Sequence, residues 1–253
     1  MRRLFLPGLP EVNDAVLISG GDHHHLRNVL RVRRGEMLMV LDGKGLAYQA
    51  EIVEVRRDAT VARLVCPAPP PPEPPVHIWV AQALGKGDKF EQVIQHGTEI
   101  GASGFIPLIT GRTIPKHGAD PAANKLARWR QIARGAAEQC GRARIPAVEA
   151  PIHLVPFLEK RAPTDPAILL DGGGRPFAHV LAELLPAGHG YRASSMLLLV
   201  GPEGGFTPTE IAAAQKHHVT PAALGPYTLR TETAALAAIA RILHHLDGCG
   251  PQR

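Results

Sequence analysis

Residues Pro67 to Pro75 read PAPPPPEPP, seven prolines in nine positions. Proline has no amide hydrogen and a fixed φ. A run this dense is expected to supply neither helix nor the donors of a sheet ladder, and to stand as a stiff, extended spacer. It cuts the 253-residue chain into two stretches, 1–66 and 76–253, with 67–75 as the linker. Those lengths suit a small domain followed by a full-sized one.

The first stretch carries short β-prone runs at Ala15–Ile18, Met37–Leu41, Tyr48–Val55 and Thr60–Val65. Asp42, Gly43 and Gly45 separate two of them and predict a hairpin turn. A small β-barrel follows, with one helical turn from His23–Val32. Beyond the linker the pattern alternates. Val76–Ala81, Phe105–Ile109, Ala167–Leu170 and Met196–Val200 are strand-like, whereas Lys89–Ile100 and Ala122–Gln139 repeat apolar residues at helical spacing. Alternation of this kind predicts an α/β domain with a mostly parallel sheet. Thr207-Pro208-Thr209-Glu210 predicts a helix start with a capping box. Leu236, Ile239, Leu243 and Leu246, spaced three, four and three, draw an apolar seam on the last helix, which fits either intrachain core or a subunit contact.

No apolar run reaches the length of a membrane span, and no extended apolar stretch follows Arg2-Arg3, so a cytoplasmic protein without a membrane partner is expected. Cys66, Cys140 and Cys249 are too scattered for a disulfide framework or a cysteine-based zinc site. The consecutive His23, His24 and His25 diverge on either helix or strand and cannot share one ion, so no metal is expected. The net charge of +5 is unevenly spread. Between Gly111 and Arg144 eight cations (Arg112, Lys116, Lys125, Arg128, Arg130, Arg134, Arg142 and Arg144) face two acids, Asp120 and Glu138. Eight minus two is +6, so the remainder of the chain sums to −1. A local excess of this size suits a polyanion such as RNA; a solvated helix face is the alternative.

Two glycine-bearing blocks carry the chemistry. Gly201-Pro202-Glu203-Gly204-Gly205 follows the strand Met196–Val200, and glycines at a strand's carboxyl end let a ligand approach the backbone. A side chain at Gly204 is expected to intrude where only backbone fits. The block lacks the Lys-Ser/Thr of a phosphate-binding loop. Leu224-Gly225 leads to Leu229-Arg230-Thr231-Glu232-Thr233-Ala234. Capping accounts for a hydroxyl and the helix dipole for Glu232, but a cation is disfavoured at a helix N-terminus. Arg230 is therefore the first functional candidate. Asp171-Gly172-Gly173-Gly174 fits a surface turn as well as a cofactor edge, and no serine-hydrolase signature occurs.

These blocks, with Arg2-Arg3-Leu-Phe, His24-His25-Leu26, Val29-Leu30-Arg31, Gly35, Lys86-Gly87-Asp88-Lys89, Thr98-Glu99-Ile100-Gly101, Arg128-Trp129, Ala137-Glu138-Gln139, Arg142 and Pro146, resemble the ribosomal RNA small subunit methyltransferase E family of the trefoil-knotted (SPOUT) superfamily. The resemblance covers nearly the whole chain. His96 stands where the family usually has lysine, and Thr228 where it has an aliphatic residue. The proline spacer is longer than usual.

The resemblance implies a PUA-like β-barrel that binds RNA, then a trefoil-knotted α/β methyltransferase domain. It implies S-adenosyl-L-methionine as cofactor, N3 of a uridine in 16S ribosomal RNA (free or in the small subunit) as target, and a homodimer, for which the α-helical seam would be the contact. Cofactor contacts would come from Leu170, Leu199, Val200, Gly201, Pro202, Glu203, Gly204, Gly205, Leu224, Gly225, Leu229, Thr233 and Ala234. RNA contacts would come from Arg2, Arg3, His25, Arg31, Lys86, Lys89, Arg112, Arg128, Arg134 and Arg142. Arg230 would steady the charge that develops on the uracil as N3 loses its proton. Glu232, Glu203 or water could take that proton. A Rossmann-type methyltransferase would want its glycine loop after the first strand, where Leu84-Gly85-Lys86 stands instead. A non-catalytic RNA-binding protein would leave both glycine blocks unexplained.

Overall fold

The computed structural model describes residues 2–6, 9, 14–113, 122–161, 165–186 and 195–247; Lys116, Asp120 and Cys249 lie outside them. Two compact units form, Met1–Glu73 with Ala137–Ile145, and Pro74–Ala136 with Pro146–Arg253.

The first unit holds β1 (Arg2–Phe5), β2 (Ala15–Ser19), β3 (Met37–Leu41), β4 (Ala47–Val55) and β5 (Ala59–Ala68) in one sheet of order β1-β3-β4-β5-β2. Only the β1–β3 pairing is parallel. Side chains alternate across the sheet: Ala62 and Leu64 are buried while Arg63 and Val65 face solvent. The hairpin turn forms as expected, with Asp42 Oδ1 accepting from the amides of Lys44 (2.7 Å) and Leu46 (2.8 Å). Helix α1 (Gly20–His24) runs straight into a π-helical turn, His25–Val29. His23 points inward, its Nδ1 2.9 Å from Thr60 Oγ1, whereas His24 and His25 are exposed.

Two features differ from expectation. Strand β1 sits outside the β-prone runs, because four residues paired with β3 leave too short a pattern to read. Strand β5 continues into the proline run, pairing Pro67 with Tyr48 and Ala68 with Ala47. Proline is tolerated there because β2 pairs only with Ala59–Arg63, leaving that side of β5 open. A main core gathers Leu4, Ile18, Leu26, Val40, Ile52 and Leu64. A second one joins Phe5, Leu41, Ala47 and Ala68 to Ala137 and Ala143.

The second unit alternates β6 (His77–Ala83), α2 (Lys89–Ile100), β7 (Gly104–Ile109), α3 (Ala122–Cys140, its last turn in the first unit), β8 (Ala147–Val148), β9 (Ile152–His153), α4 (Leu154–Lys160), β10 (Ala167–Pro176), α5 (Phe177–Leu184), β11 (Ser195–Val200), α6 (Pro208–Lys216), β12 (Thr220–Ala223) and α7 (Thr231–Asp247). The sheet has the order β12-β10-β11-β6-β7-β8, β9 also pairs β7, and every pairing is parallel. Helices α4 and α6 cover one face with Leu154, Leu158 and Ala214 against Ala81, Leu169, Leu197 and Leu199.

The capping box opens α6 as expected: Glu210 N donates to Thr207 Oγ1, and Thr207 N to Glu210 Oε2. The other oxygen of Glu210 accepts from Gly111 N at 2.7 Å. Asp171–Gly174 form neither a free turn nor a fingerprint loop. They bulge within β10, between Leu170 and Arg175, which both register with Ala222.

On α7, Ile239 and Leu246 are buried within the chain, and Leu236 and Leu243 are half-buried. The terminal methyls of Ile239 and Leu243 face Gly97 and Gly101, at and just past the end of α2. The seam read as a subunit contact thus packs, at these two positions, on α2 of the same chain. Apolar spacing marks which face is covered but not by what.

Candidate active site

Ala222, Leu170, Val200, Gln82 and Pro107 stand in register across five neighbouring parallel strands, β12, β10, β11, β6 and β7. The row lies at or near the carboxyl ends of β12, β11, β6 and β7, and just before the bulge in β10. Beyond it the chain leaves in Leu84–Asp88, the Asp171–Gly174 bulge, Gly201–Thr207 and Leu224–Arg230. Open parallel sheets bind ligands beyond these ends, so the two glycine blocks of the sequence are brought to one edge.

The side chains of Leu199 and Val200 are committed to the core, which leaves only their backbone for a ligand. Gly201 and Pro202 are buried, Glu203 and Gly204 exposed, and Gly205 N closes the turn on Pro202 O at 2.8 Å. Gly225 and Leu229 are exposed, Leu170 and Leu224 half-buried. Thr233 is exposed and Ala234 half-buried, with Ala234 N bonded to Arg230 O at 2.8 Å. Arg241 secures the Leu224 loop: its Nη1 donates to Leu224 O at 2.6 Å while its guanidinium lies 5.1 Å from the centre of the Phe177 ring. At Gly204 the expectation changes. An added Cβ would meet the side-chain Cδ of Arg112 at 3.2 Å rather than backbone.

The site's charges converge on Lys89. Its Nζ lies 2.7 Å from Glu203 Oε1 and 3.9 Å from Glu232 Oε2. The Lys89 ammonium, with help from backbone amides, holds the Glu203 carboxyl below its ordinary range. The Glu232 side chain is 14% exposed, and its Oε2 is buried without a hydrogen-bond partner among the described residues. Arg230 precedes α7, is exposed and has no side-chain partner among the described residues. Behind them, buried Gln82 Nε2 donates to Thr231 Oγ1 and Thr231 Oγ1 to Gly201 O, both at 2.6 Å. Gln82 and Arg241 escaped the sequence reading, and Thr231 was read there only as part of a helix start. The one available signal was a glutamine near the end of an otherwise apolar buried strand.

The basic residues divide. His25, Arg31 and Lys86 are exposed. Arg2 pairs with Glu36 (2.7 Å) and Arg128 with Glu91 (2.6 Å), both at the surface. Arg3 lies over Gly141, and Arg134 is half-buried. His96 is exposed beside Glu99. Three residues assigned to RNA also make contacts within the chain. Arg142 is only 9% exposed, with Nε and Nη2 both on Glu73 Oε2, so no face remains for a phosphate. Arg112 donates to the carbonyls of Gly204 and Phe206, and Lys89 is held between carboxylates. Charge counting cannot tell a guanidinium that faces solvent from one that ties the chain together.

Residues 72–243 match the family described as an RNA methyltransferase domain, and residues 18–65 match an RNA methyltransferase PUA domain. The first match contains every carboxyl-edge loop described above. The ribosomal RNA small subunit methyltransferase E of Bacillus subtilis is 32% identical over 236 residues, 91% of this chain and 90% of that protein. The chain belongs to the ribosomal RNA small subunit methyltransferase E family. A member of that family from Neisseria gonorrhoeae, crystallised with S-adenosyl methionine, superposes with a TM-score of 0.87 at 30% identity over 97% of this chain and 98% of its own. A Legionella pneumophila methyltransferase in complex with the same cofactor superposes with a TM-score of 0.84 at 31% identity, over 96% and 97% of the two chains. In methyltransferase E terms, the two glycine blocks fall within the shared catalytic domain.

Proposed function

We propose that the protein methylates N3 of a uridine in 16S ribosomal RNA, with S-adenosyl-L-methionine as donor, working in the cytoplasm as a homodimer. The observation that carries this reading is the junction of the loops after β6, β11 and β12 at one sheet edge, with Arg230 exposed beside them. The proposal includes a trefoil knot. In its favour, β11 inserts between β10 and β6 while β12 returns outside β10. Residues 1–66 are taken as the PUA-like RNA-binding domain, 67–75 as the proline-rich linker and 76–253 as the methyltransferase domain. The match of residues 18–65 supports the first of these.

The residues present suit the cofactor. A Cβ built on Gly205 or Gly225 would meet nothing within 4 Å, so the loops border open space on their glycine side. Leu170, Leu199–Gly205, Leu224, Gly225, Leu229, Thr233 and Ala234 would hold it, largely through backbone. When bound, S-adenosyl-L-methionine supplies an electrophilic methyl group. The chain's own task is to orient the uracil and accept charge. N3 must lose its proton, which spreads negative charge over the ring, and the Arg230 fork can span two acceptors of that ring. Between the two candidate proton acceptors, Glu203 is already neutralised by Lys89. Glu232 Oε2 stands farther from that ammonium, at 3.9 Å, and accepts no hydrogen bond among the described residues, which makes Glu232 the better assignment. Arg3, His25 and Arg31 in the first unit, and Lys86, Arg128 and Arg134 in the second, are the phosphate-facing candidates. Tyr227, 83% exposed in the Leu224–Arg230 loop, offers a ring for a base to stack on.

The test is direct. Small-subunit RNA from a strain lacking the gene is incubated with the purified protein and labelled cofactor, then mapped by mass spectrometry. A single uridine gaining one N3 methyl is expected. Label on another base, on another atom of uridine, or on no RNA overturns the reading.

A further inference from the structure

Gln82 is the penultimate residue of β6, only 1% exposed, and lies in the register row at the sheet's carboxyl edge. The polarity of its contacts is fixed by chemistry. Gly201 O can only accept, so the one proton of the Thr231 hydroxyl goes there, and Thr231 Oγ1 must then accept from Gln82 Nε2. A flipped amide would take the threonine proton and strip the Gly201 carbonyl of its donor. The same orientation leaves Gln82 Oε1 buried with no hydrogen-bond partner among the described residues. An orphaned buried acceptor costs free energy, and an apolar side chain of equal length would avoid that cost. Folding alone therefore does not favour a glutamine at this position.

We propose that Gln82 is a positioning residue for the cofactor. Acting through Thr231, it turns the Gly201 carbonyl inward and fastens the Gly201–Gly205 loop to the first residue of α7, the helix that carries Glu232 and follows Arg230. One side chain from the central strand thereby sets the spacing between the loop that holds the cofactor and the residues that meet the uracil. This inference rests on the cofactor reading above.

The test compares Gln82→Met, Thr231→Val and Thr231→Ser in the full-length protein. Gln82→Met removes the relay's donor and the orphaned acceptor while keeping length. It is expected to melt no lower than the wild type yet to bind S-adenosyl-L-methionine about tenfold more weakly by calorimetry, the scale of one or two net hydrogen bonds. Thr231→Val should lose as much, Thr231→Ser should restore most of it, and the Gln82→Met/Thr231→Val double variant should be no worse than either single change. Amide exchange of the Gly201–Gly205 loop, measured without cofactor, should quicken in Gln82→Met. Unchanged loop exchange overturns the relay, as does an affinity loss that merely tracks a fall in melting temperature. Wild-type protein that does not bind the cofactor, with the loop exchange still altered, would sink the cofactor reading and leave the relay standing as a structural clamp.

Discussion

Lys89 Nζ and Glu203 Oε1 stand 2.7 Å apart although 114 positions separate the two residues in the chain. The pair ties the start of α2 to the loop after β11, and Glu232 at the start of α7 approaches the same ammonium. Three segments of the site thus share one cation. The depressed Glu203 carboxyl gives a contribution that is present above the ordinary carboxylate range and is lost only as pH falls through its lowered value. Lys89→Met should move Glu203 back up toward the ordinary carboxylate range, since its largest lowering partner is gone. A carboxyl-carbon NMR titration checks this, and an unmoved titration would mean that the pair does not persist in solution. Both side chains are partly exposed, so global stability should change little.

Arg230→Ala should leave cofactor affinity near normal and lower single-turnover methylation by about 2–4 kcal/mol, the scale for losing one group that stabilises developing charge. Lysine should rescue only in part, because it lacks the planar fork. If affinity and rate fall together, Arg230 serves the cofactor rather than the uracil.

Arg142→Ala and Arg128→Ala should separate a structural arginine from a surface one. The first leaves the mostly buried Glu73 without its partner, and breaking such a pair costs about 3–5 kcal/mol, visible as a lowered melting temperature. The second removes a surface pair worth at most about 1 kcal/mol. If Arg128 meets a phosphate, its loss should flatten the salt dependence of RNA binding by about one slope unit. Equal melting of the two variants would refute the distinction.

Gly174→Ala should damage the protein more than Gly204→Ala. A Cβ at Gly174 would fall 2.5 Å from the backbone nitrogen of Ala222 in β12, whereas at Gly204 its nearest atom is the Cδ of the Arg112 side chain at 3.2 Å. Overpacking against backbone is expected to cost about 1–3 kcal/mol. Thermal melts decide it, and a Gly174→Ala protein as stable as wild type would show that the β10 bulge yields.

Strand and helix periods were legible because each face of the sheet is covered, which writes burial into spacing. The capping box was legible because all its parts lie within four residues. Arg230 stood out by being in an electrostatically wrong position. Gln82 and Lys89 were not legible in the same way, since their partners lie 149 and 114 positions away and no local pattern records such pairings. Pro67 was misread because its tolerance depends on where β2 stops, a tertiary fact. Arg142 was misread because charge sums ignore the solitary Glu73 in the proline run.

The proline run looks like a joint at which one domain ends and another begins, yet the first unit closes its second core with Ala137 and Ala143 and clasps Glu73 with Arg142. On the ribosome, then, the amino-terminal sheet emerges early but waits for a segment synthesised after the first two strands of its neighbour. A gene fusion cut at the prolines would separate a core from its own filling, so the two units are bound to be inherited, and to finish folding, together.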